Sequence, residues 1–458
     1  MVAVANDGKA IPAPERMSPY QWLVVALCCL TNIADGFDVV SLGVAAPVLS
    51  KQWHVDPAVL GTLFSAVAVG LVIGAFLVAP LADGFGRRPV MLAALGTLAV
   101  TLLLSGASGS IGELLVLRFL TGVGLGTLVV CLNTTASEMA SEKRRNVAMA
   151  TVHIGFTLGM MLGSGIAAMV LHNAGWRPIF YFAGALNVVT FLASLFLLGE
   201  SREFLVRRQA AGDLARLNEL HRRMRIAELA AMPPKPPVPA ERGAALRTML
   251  SPEMRTQTIL VWVASVAYAI VGYFLLNWKP TILANAGLTP ELAAASGIIT
   301  GACGMFGHLT MGLFGRRVGE GRLTTIYFAL AAVTLVIFGI QPPDPIPLLA
   351  MAGVTTFFVV GAYTGLFLVS VVMYPARIQN AGVGYVVGFG RVGAIIGPMI
   401  GGFLLSAGLT RMDTYFVFSA IAVIPAVTMF FAYRLAARST SRASQTHVAG
   451  AFDAEPAL

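Results

Sequence analysis

"LADGFGRRPVM", residues 81–91, returns in outline as "MGLFGRRVGEGR", residues 311–322. Phe85-Gly86-Arg87-Arg88 and Phe314-Gly315-Arg316-Arg317 are separated by half the length of the 458-residue chain. Each copy is a short basic turn between two long apolar runs. A second correspondence links "GFTLGMMLGSG" (155–165) with "GRVGAIIGPMIGG" (390–402). Repetition at half length predicts two bundles built on one plan.

What kind of bundle follows from composition. The chain is 57% hydrophobic and only 12% charged, with mean hydropathy +0.79. A soluble domain carries about 25% charged residues, so this chain has too little polar surface to dissolve. Apolar runs fall at 21–49, 58–81, 89–108, 112–135, 147–171, 178–199, 256–278, 291–314, 323–340, 346–373, 381–407 and 413–434. Each is near the length of about 20 residues that a membrane helix needs. A β-barrel would instead alternate polarity in segments of about 10 residues. The fold class expected is therefore all-α integral membrane, with twelve transmembrane helices in two pseudo-symmetric six-helix bundles.

That divides the chain into an N-terminal tail (1–20), a first bundle (21–199), a linker (200–255), a second bundle (256–434) and a C-terminal tail (435–458). In the linker, "EFLVRRQAAGDLARLNELHRRMRIAELA" (203–230) reads as an amphipathic charged helix, followed by a proline-rich spacer. The N-terminus shows no secretory signal, because its first apolar run is long enough to span and no small-residue cleavage site follows. Cys28, Cys29, Cys131 and Cys303 lie within apolar runs, without the spacing of a disulfide or metal framework.

The 31 Lys and Arg residues test this topology. Lys51, Arg177, Lys279 and Arg411 fall on one side, Arg118 and Arg391 lie within spans, and all the others fall on the opposite side. Such asymmetry places both termini in the cytoplasm. It also accounts for the net charge of +9 through short loops facing anionic lipid, without nucleic acid. Six plus six helices with an internal repeat is a plan of many secondary transporters, with a substrate held between the halves.

Charges inside the spans are the chemical signal, because each costs from about 2.5 kcal/mol upward at the bilayer centre. Asp35 and Asp38 stand at i and i+3 on one helical face. Like charges and burial both favour a bound proton there, making the pair a proton-coupling candidate. The bland alternative is a structural pair that hydrogen-bonds across helices. Gly36 between them permits either local unwinding or close approach of another helix. Arg391, flanked by glycines, offers a bidentate fork to an organic anion, or else a permanent ion pair with Asp35 or Asp38. His153 stands opposite Arg391 in the repeat and titrates in the physiological range, although a lone histidine there serves packing equally well. His308 reads as structural.

With these residues in view, the chain resembles the major facilitator superfamily. "PLADGFGRRPVML" (80–92) resembles its signature loop, "RFLTGVGLG" (118–126) its fourth-span motif, and "SEMASEKRRNVAM" (137–149) its exit from span four. Within it, "DGFDVVSLGVAAPVL" (35–49), "NWKPTIL" (277–283) and "YPARIQNAGVGYVVGFGRVGAIIGPMIGG" (374–402) resemble the aromatic acid:proton symporters. The resemblance implies import of a benzoate-like anion with protons across a bacterial inner membrane. Separately, the chain is expected to work as a monomer embedded in lipid, driven by the proton gradient, without cofactor or metal. The family more often has an uncharged residue where Lys279 stands. "GESREFL" (199–205) departs from the sugar-porter pattern.

An aromatic substrate requires stacking faces, for which Phe37, Trp278, Tyr363, Phe367, Tyr385 and Phe389 are the candidates; Trp278 is also placed to sit in the interfacial belt. Arg118 ranks after Arg391 as an anion contact facing the cavity. Lys279 either attracts anions at the entrance or snorkels to the interface. The resemblance ties Asp83, Arg87 and Arg88 to a cytoplasmic latch, which Glu138 at the end of span four joins. Gly312 stands where Asp83 would repeat, so the latch is asymmetric. "GVGLG" (122–126) lies within a span and is helix packing, not a dinucleotide loop. No Walker or zinc motif points to an enzyme. An exporter exchanging protons for an organic compound, or a sensor of aromatic acids signalling through the linker, are the alternative functions.

Overall fold

The computed structural model describes residues 17–235, 242–375 and 378–452. Among them, twelve helices are long and apolar enough to cross a membrane. They are Pro19–Trp53, Pro57–Phe85, Arg87–Ala107, Ile111–Met139, Arg145–Ala174 and Arg177–Leu197, then Arg255–Asn285, Pro290–Gly315, Glu320–Ile340, Pro345–Met373, Gln379–Ser406 and Arg411–Leu435. We number them spans one to twelve. No strand occurs among the described residues.

Local sequence sets the span ends. Span one opens with a capping box: Ser18 N donates to Gln21 Oε1 at 2.8 Å, and Gln21 N donates to Ser18 Oγ at 3.3 Å, with Pro19 in the first turn. Asp56 caps span two by accepting from Ala58 N at 2.8 Å. That span winds as a π-helix over Gly74–Val78 and tightens to a 3₁₀ turn over Ala79–Leu81, beside Pro80.

The described residues fall into two compact units, one holding residues up to 239 with Thr289–Ile298, the other the remainder. In the first unit, span one packs most extensively on span five, span two on span four and span three on span six. In the second, span seven packs on span eleven and span nine on span twelve. Small residues permit these approaches. A Cβ on Gly36 would strike the Phe156 carbonyl, and one on Gly159 the Ile33 carbonyl. Gly393 and Gly397 stand against the Val266 and Ile270 carbonyls in the same way. With little hydrophobic drive between helices in lipid, such backbone-to-backbone packing is what holds spans together. Gly122 and Gly126 meet the Val67 and Leu71 carbonyls, so "GVGLG" is indeed a packing surface.

The linker departs from expectation. Instead of one helix over 203–230 there are two, Arg202–Arg208 and Asp213–Met224. Gln209 takes the left-handed conformation at φ 53° and Gly212 at φ 85°, which breaks the helix between them. Asp213 fixes the turn: it pairs with Arg208, accepting from Nε at 3.0 Å, and also accepts from Ala210 N at 2.8 Å. A further helix covers Arg242–Met249, and residues 236–241 of the spacer lie outside the described residues. The last helix continues to Phe452, so most of the segment expected as a C-terminal tail is helical.

Candidate functional site

Asp35 and Asp38 sit in an unbroken helix, so Gly36 serves close approach and not unwinding. Both carboxyl groups are buried, Asp35 at 5% and Asp38 at 3% exposure. Asp38 Oδ1 accepts from Arg118 Nη1 of span four at 2.8 Å. Arg118 Nη2 donates to Ser105 Oγ of span three at 3.1 Å and to Thr121 Oγ1 at 3.0 Å. The Thr121 and Thr101 hydroxyls are 2.9 Å apart, and the Phe180 ring of span six lies 4.9 Å from the guanidinium carbon. Four spans thus converge on one ion pair. The shell is incomplete: Asp38 Oδ2 and Arg118 Nε have no hydrogen-bond partner among the described residues.

This corrects the reading of Arg118. It does not face a cavity as a second anion contact; it is 1% exposed and neutralised by Asp38. Burial of an arginine is tolerable only with such a partner. Asp38 is likewise taken by Arg118, so it is not the permanent partner of Arg391 considered above.

Arg391, in span eleven of the second unit, is half-buried. Its Nη1 donates to the Tyr273 hydroxyl of span seven at 3.1 Å, and it has no carboxylate partner among the described residues. A guanidinium carries five N–H donors, so most of this fork is open. Aromatic faces lie in the same unit. Tyr268 stacks on Tyr363, with centroids 5.1 Å apart and planes at 18°, and meets the edge of Phe328. Tyr363 and Phe367 are 38% and 44% exposed, as available rings must be. Tyr385 tilts against Trp262, and Phe389 stacks on Trp262 at 4.3 Å. That pair lines an apolar hollow of about 460 Å³ with Ile421 and Ile424 of span twelve, whose lining carries no charge. Phe389 therefore belongs to a different surface from the guanidinium.

Two other aromatic expectations fail. Trp278 is fully buried and donates to the Pro398 carbonyl at 2.9 Å, so it clamps span seven to span eleven and reaches neither cavity nor interface. Phe37 is 2% exposed, offering no open face. His153 is exposed and makes no hydrogen bond or ion pair with the described residues, so it stands apart from the Asp pair. His308 contacts the Thr364 hydroxyl. Lys279 does not snorkel; it is 8% exposed and donates to Thr300 Oγ1 at 2.7 Å.

The signature loop forms its own network within the first unit. Arg87 pairs with Glu138 and, at 3.4 Å, with Glu203. Glu138 Oε2 accepts from Ser201 Oγ at 2.6 Å. Glu200 Oε1 accepts from Arg87 N at 2.9 Å and Arg88 N at 3.1 Å, capping the N-terminus of span three where the helix dipole favours an anion. Arg88 Nη2 donates to the Leu195 carbonyl at 2.7 Å. Asp83, by contrast, is exposed, and its one ion-pair partner among the described residues is Arg207 at 3.9 Å. The polar shell of Ser105, Thr101 and Thr121, the tyrosine partner of Arg391 and the Glu200 cap were not found from the sequence. Hydroxyls are common in spans, and only Glu200, in the quoted "GESREFL", carried a visible signal.

A profile of the Major Facilitator Superfamily matches residues 28–377. The chain belongs to the Major Facilitator Superfamily. It is a multi-pass membrane transporter and not an enzyme. Its sequence is 31% identical to the 4-hydroxybenzoate transporter PcaK of Pseudomonas aeruginosa, over 88% of this chain and 90% of the relative. A gallate transporter of Pseudomonas putida is 32% identical over 86% and 87% of the two chains. The benzoate transport protein of Acinetobacter baylyi is 27% identical over 91% and 90%. Among solved structures, a bacterial homologue of the human lysosomal transporter Spinster superposes with TM-score 0.73 at 15% identity, covering 92% of this superfamily member and 98% of that chain. That last likeness concerns the fold alone.

Proposed function

We propose that this transporter imports a small aromatic carboxylate together with protons across a bacterial inner membrane, with both termini in the cytoplasm. Access to the site switches from one face to the other during the cycle. The observation that carries the reading is the Arg391 guanidinium, half-buried in a membrane span with one tyrosine hydroxyl and no carboxylate partner among the described residues. Such a fork is matched to a carboxylate, and the stacked Tyr268–Tyr363 pair in the same unit suits a ring. The named substrates of the relatives, 4-hydroxybenzoate, gallate and benzoate, are ring acids of this class.

Proton coupling rests on Asp38 and its neighbour Asp35. Asp38 holds Arg118 with one oxygen and leaves the other without a hydrogen-bond partner among the described residues. A proton arriving there neutralises the carboxylate and loosens the arginine, whose Ser105 and Thr121 contacts remain. One group thereby links protonation to the packing of four spans. No cofactor is required; the proton gradient supplies the drive.

Uptake of labelled benzoates and hydroxybenzoates into proteoliposomes, with and without a protonophore, tests the reading. Accumulation should collapse with the protonophore. Asp38→Asn should bind substrate without accumulating it, and Arg391→Ala should lose affinity for acids. Undiminished accumulation by the first, or unaltered affinity in the second, overturns the corresponding role.

A further inference from the structure

Lys279, like Arg391, is an intramembrane cation that neither the latch nor an ion pair among the described residues accounts for. Its backbone lies six residues before the end of span seven at Asn285, about 9 Å along the helix. Its hydrogen-bond partner, Thr300, lies ten residues into span eight from Pro290, about 15 Å from the same end of the antiparallel hairpin. The side chain thus carries its ammonium some 6 Å deeper into the membrane, by the same helical rise, instead of toward the nearer interface. Snorkelling would relieve the desolvation of the charge, and the chain does the reverse.

The helix leaves it no freedom to turn away. Trp278 beside it is fully buried and bonded to Pro398, a Cβ on Gly401 would run into the Trp278 indole, and Pro280 follows directly within the helix. An ammonium has three donors. Here one goes to Thr300, and no carboxylate among the described residues pairs with it. Two N–H groups and the ammonium charge are held at depth with no anion among the described residues to meet them.

We propose that Lys279 is a second anion-binding point in the second unit, separate from the Arg391 fork, that takes the anionic oxygen of the transported acid. The ammonium supplies a point charge with freely rotating donors, suited to a carboxylate or phenolate oxygen in more than one orientation. The proposal rests on the reading of the protein as an organic-acid transporter.

The test compares the full-length wild type with Lys279→Met, Lys279→Gln and Lys279→Arg in detergent and in proteoliposomes, with benzoate as the probe anion and benzamide as its uncharged isostere. Lys279→Met and Lys279→Gln should raise KM and Kd for benzoate at least tenfold, with the maximal rate within about twofold. Competition by benzamide should be unchanged, and Lys279→Arg should recover most of the affinity. Lys279→Met should also raise the Tm of the ligand-free protein, since a buried unpaired charge is removed, while abolishing stabilisation by benzoate. Unchanged benzoate affinity in Lys279→Met overturns the proposal. So does equal weakening of benzamide, or a fall in ligand-free Tm, either of which marks Lys279 as a packing residue. Tight chloride binding that Lys279→Met abolishes while benzoate affinity stays the same overturns it in favour of an inorganic anion site. If the wild type transports no aromatic acid, the functional reading fails on its own, and benzoate binding by tryptophan fluorescence still decides the role of Lys279.

Discussion

Arg118 Nη1 and Asp38 Oδ1 lie 2.8 Å apart, each residue almost wholly buried, in a pocket made by spans one, three, four and six. Removing one member of such a pair leaves the other charge stranded, a loss of about 3–5 kcal/mol where it has been measured in protein interiors. Removing both leaves no charge stranded. Arg118→Met should therefore destabilise the purified protein severely. Adding Asp38→Asn should restore much of the Tm, with a coupling energy of about 1–3 kcal/mol in a double-mutant cycle. Additive losses in thermal unfolding would contradict a direct pair.

Tyr273→Phe removes the hydroxyl that orients Arg391 and changes little else, because its ring is retained. A hydrogen bond to a charged group contributes about 1.5–3 kcal/mol. Part of that returns through water at this half-buried site. The expected result is a several-fold rise in KM for acids at a nearly constant maximal rate, measured by initial uptake. Arg391→Lys should not substitute for the wild type, since a lysine loses the planar fork.

The Glu200 cap predicts a graded loss at the signature loop. Gly86 holds φ 102°, and a Cβ there would meet the Glu200 carboxylate. Gly86→Ala should thus combine backbone strain with displacement of the cap. Glu200→Gln keeps the shape but weakens the acceptor for Arg87 N and Arg88 N, at about 0.5–2 kcal/mol. Tm in detergent should fall in the order Gly86→Ala, then Glu200→Gln, with Asp83→Asn near wild type because Asp83 is exposed.

The spans and the half-chain repeat were legible because each is written in long-range composition: apolar length, and a loop copied at half length. Intramembrane charges were legible as well, since each stands out against an apolar run. Their partners were not. Arg118 and Asp38 are 80 residues apart, and which arginine meets which aspartate depends on the rotation of four helices that no local pattern fixes. Trp278 shows the same gap: a tryptophan near a span end fits the interfacial belt, yet Gly401 leaves room for it inside and Pro398 offers a carbonyl. The linker break at Gln209 was obscured because Arg208 and Asp213 satisfy an amphipathic pattern whether or not the helix is continuous.

Outside the membrane, that Arg208–Asp213 contact makes the linker sensitive to acid. Arg208 donates to the Asp213 carboxylate, and this hydrogen bond holds its pKa below the ordinary aspartate value. A depressed folded-state pKa means the contact contributes stability fully above the unfolded value of about 3.9. That contribution is lost as pH falls through the lower folded value. Ala210 N also depends on the carboxylate, so protonation loosens the whole turn between the two linker helices. Hydrogen exchange of the Asp213–Met224 amides, corrected for intrinsic rates, should be flat from neutral pH to about 5 and should rise below about 4, the range set by the aspartate's unfolded value. Asp213→Asn should show elevated exchange already at neutral pH, with no further rise from this group on acidification. A wild-type profile that rises between pH 7 and 5 would assign the linker's sensitivity to another residue.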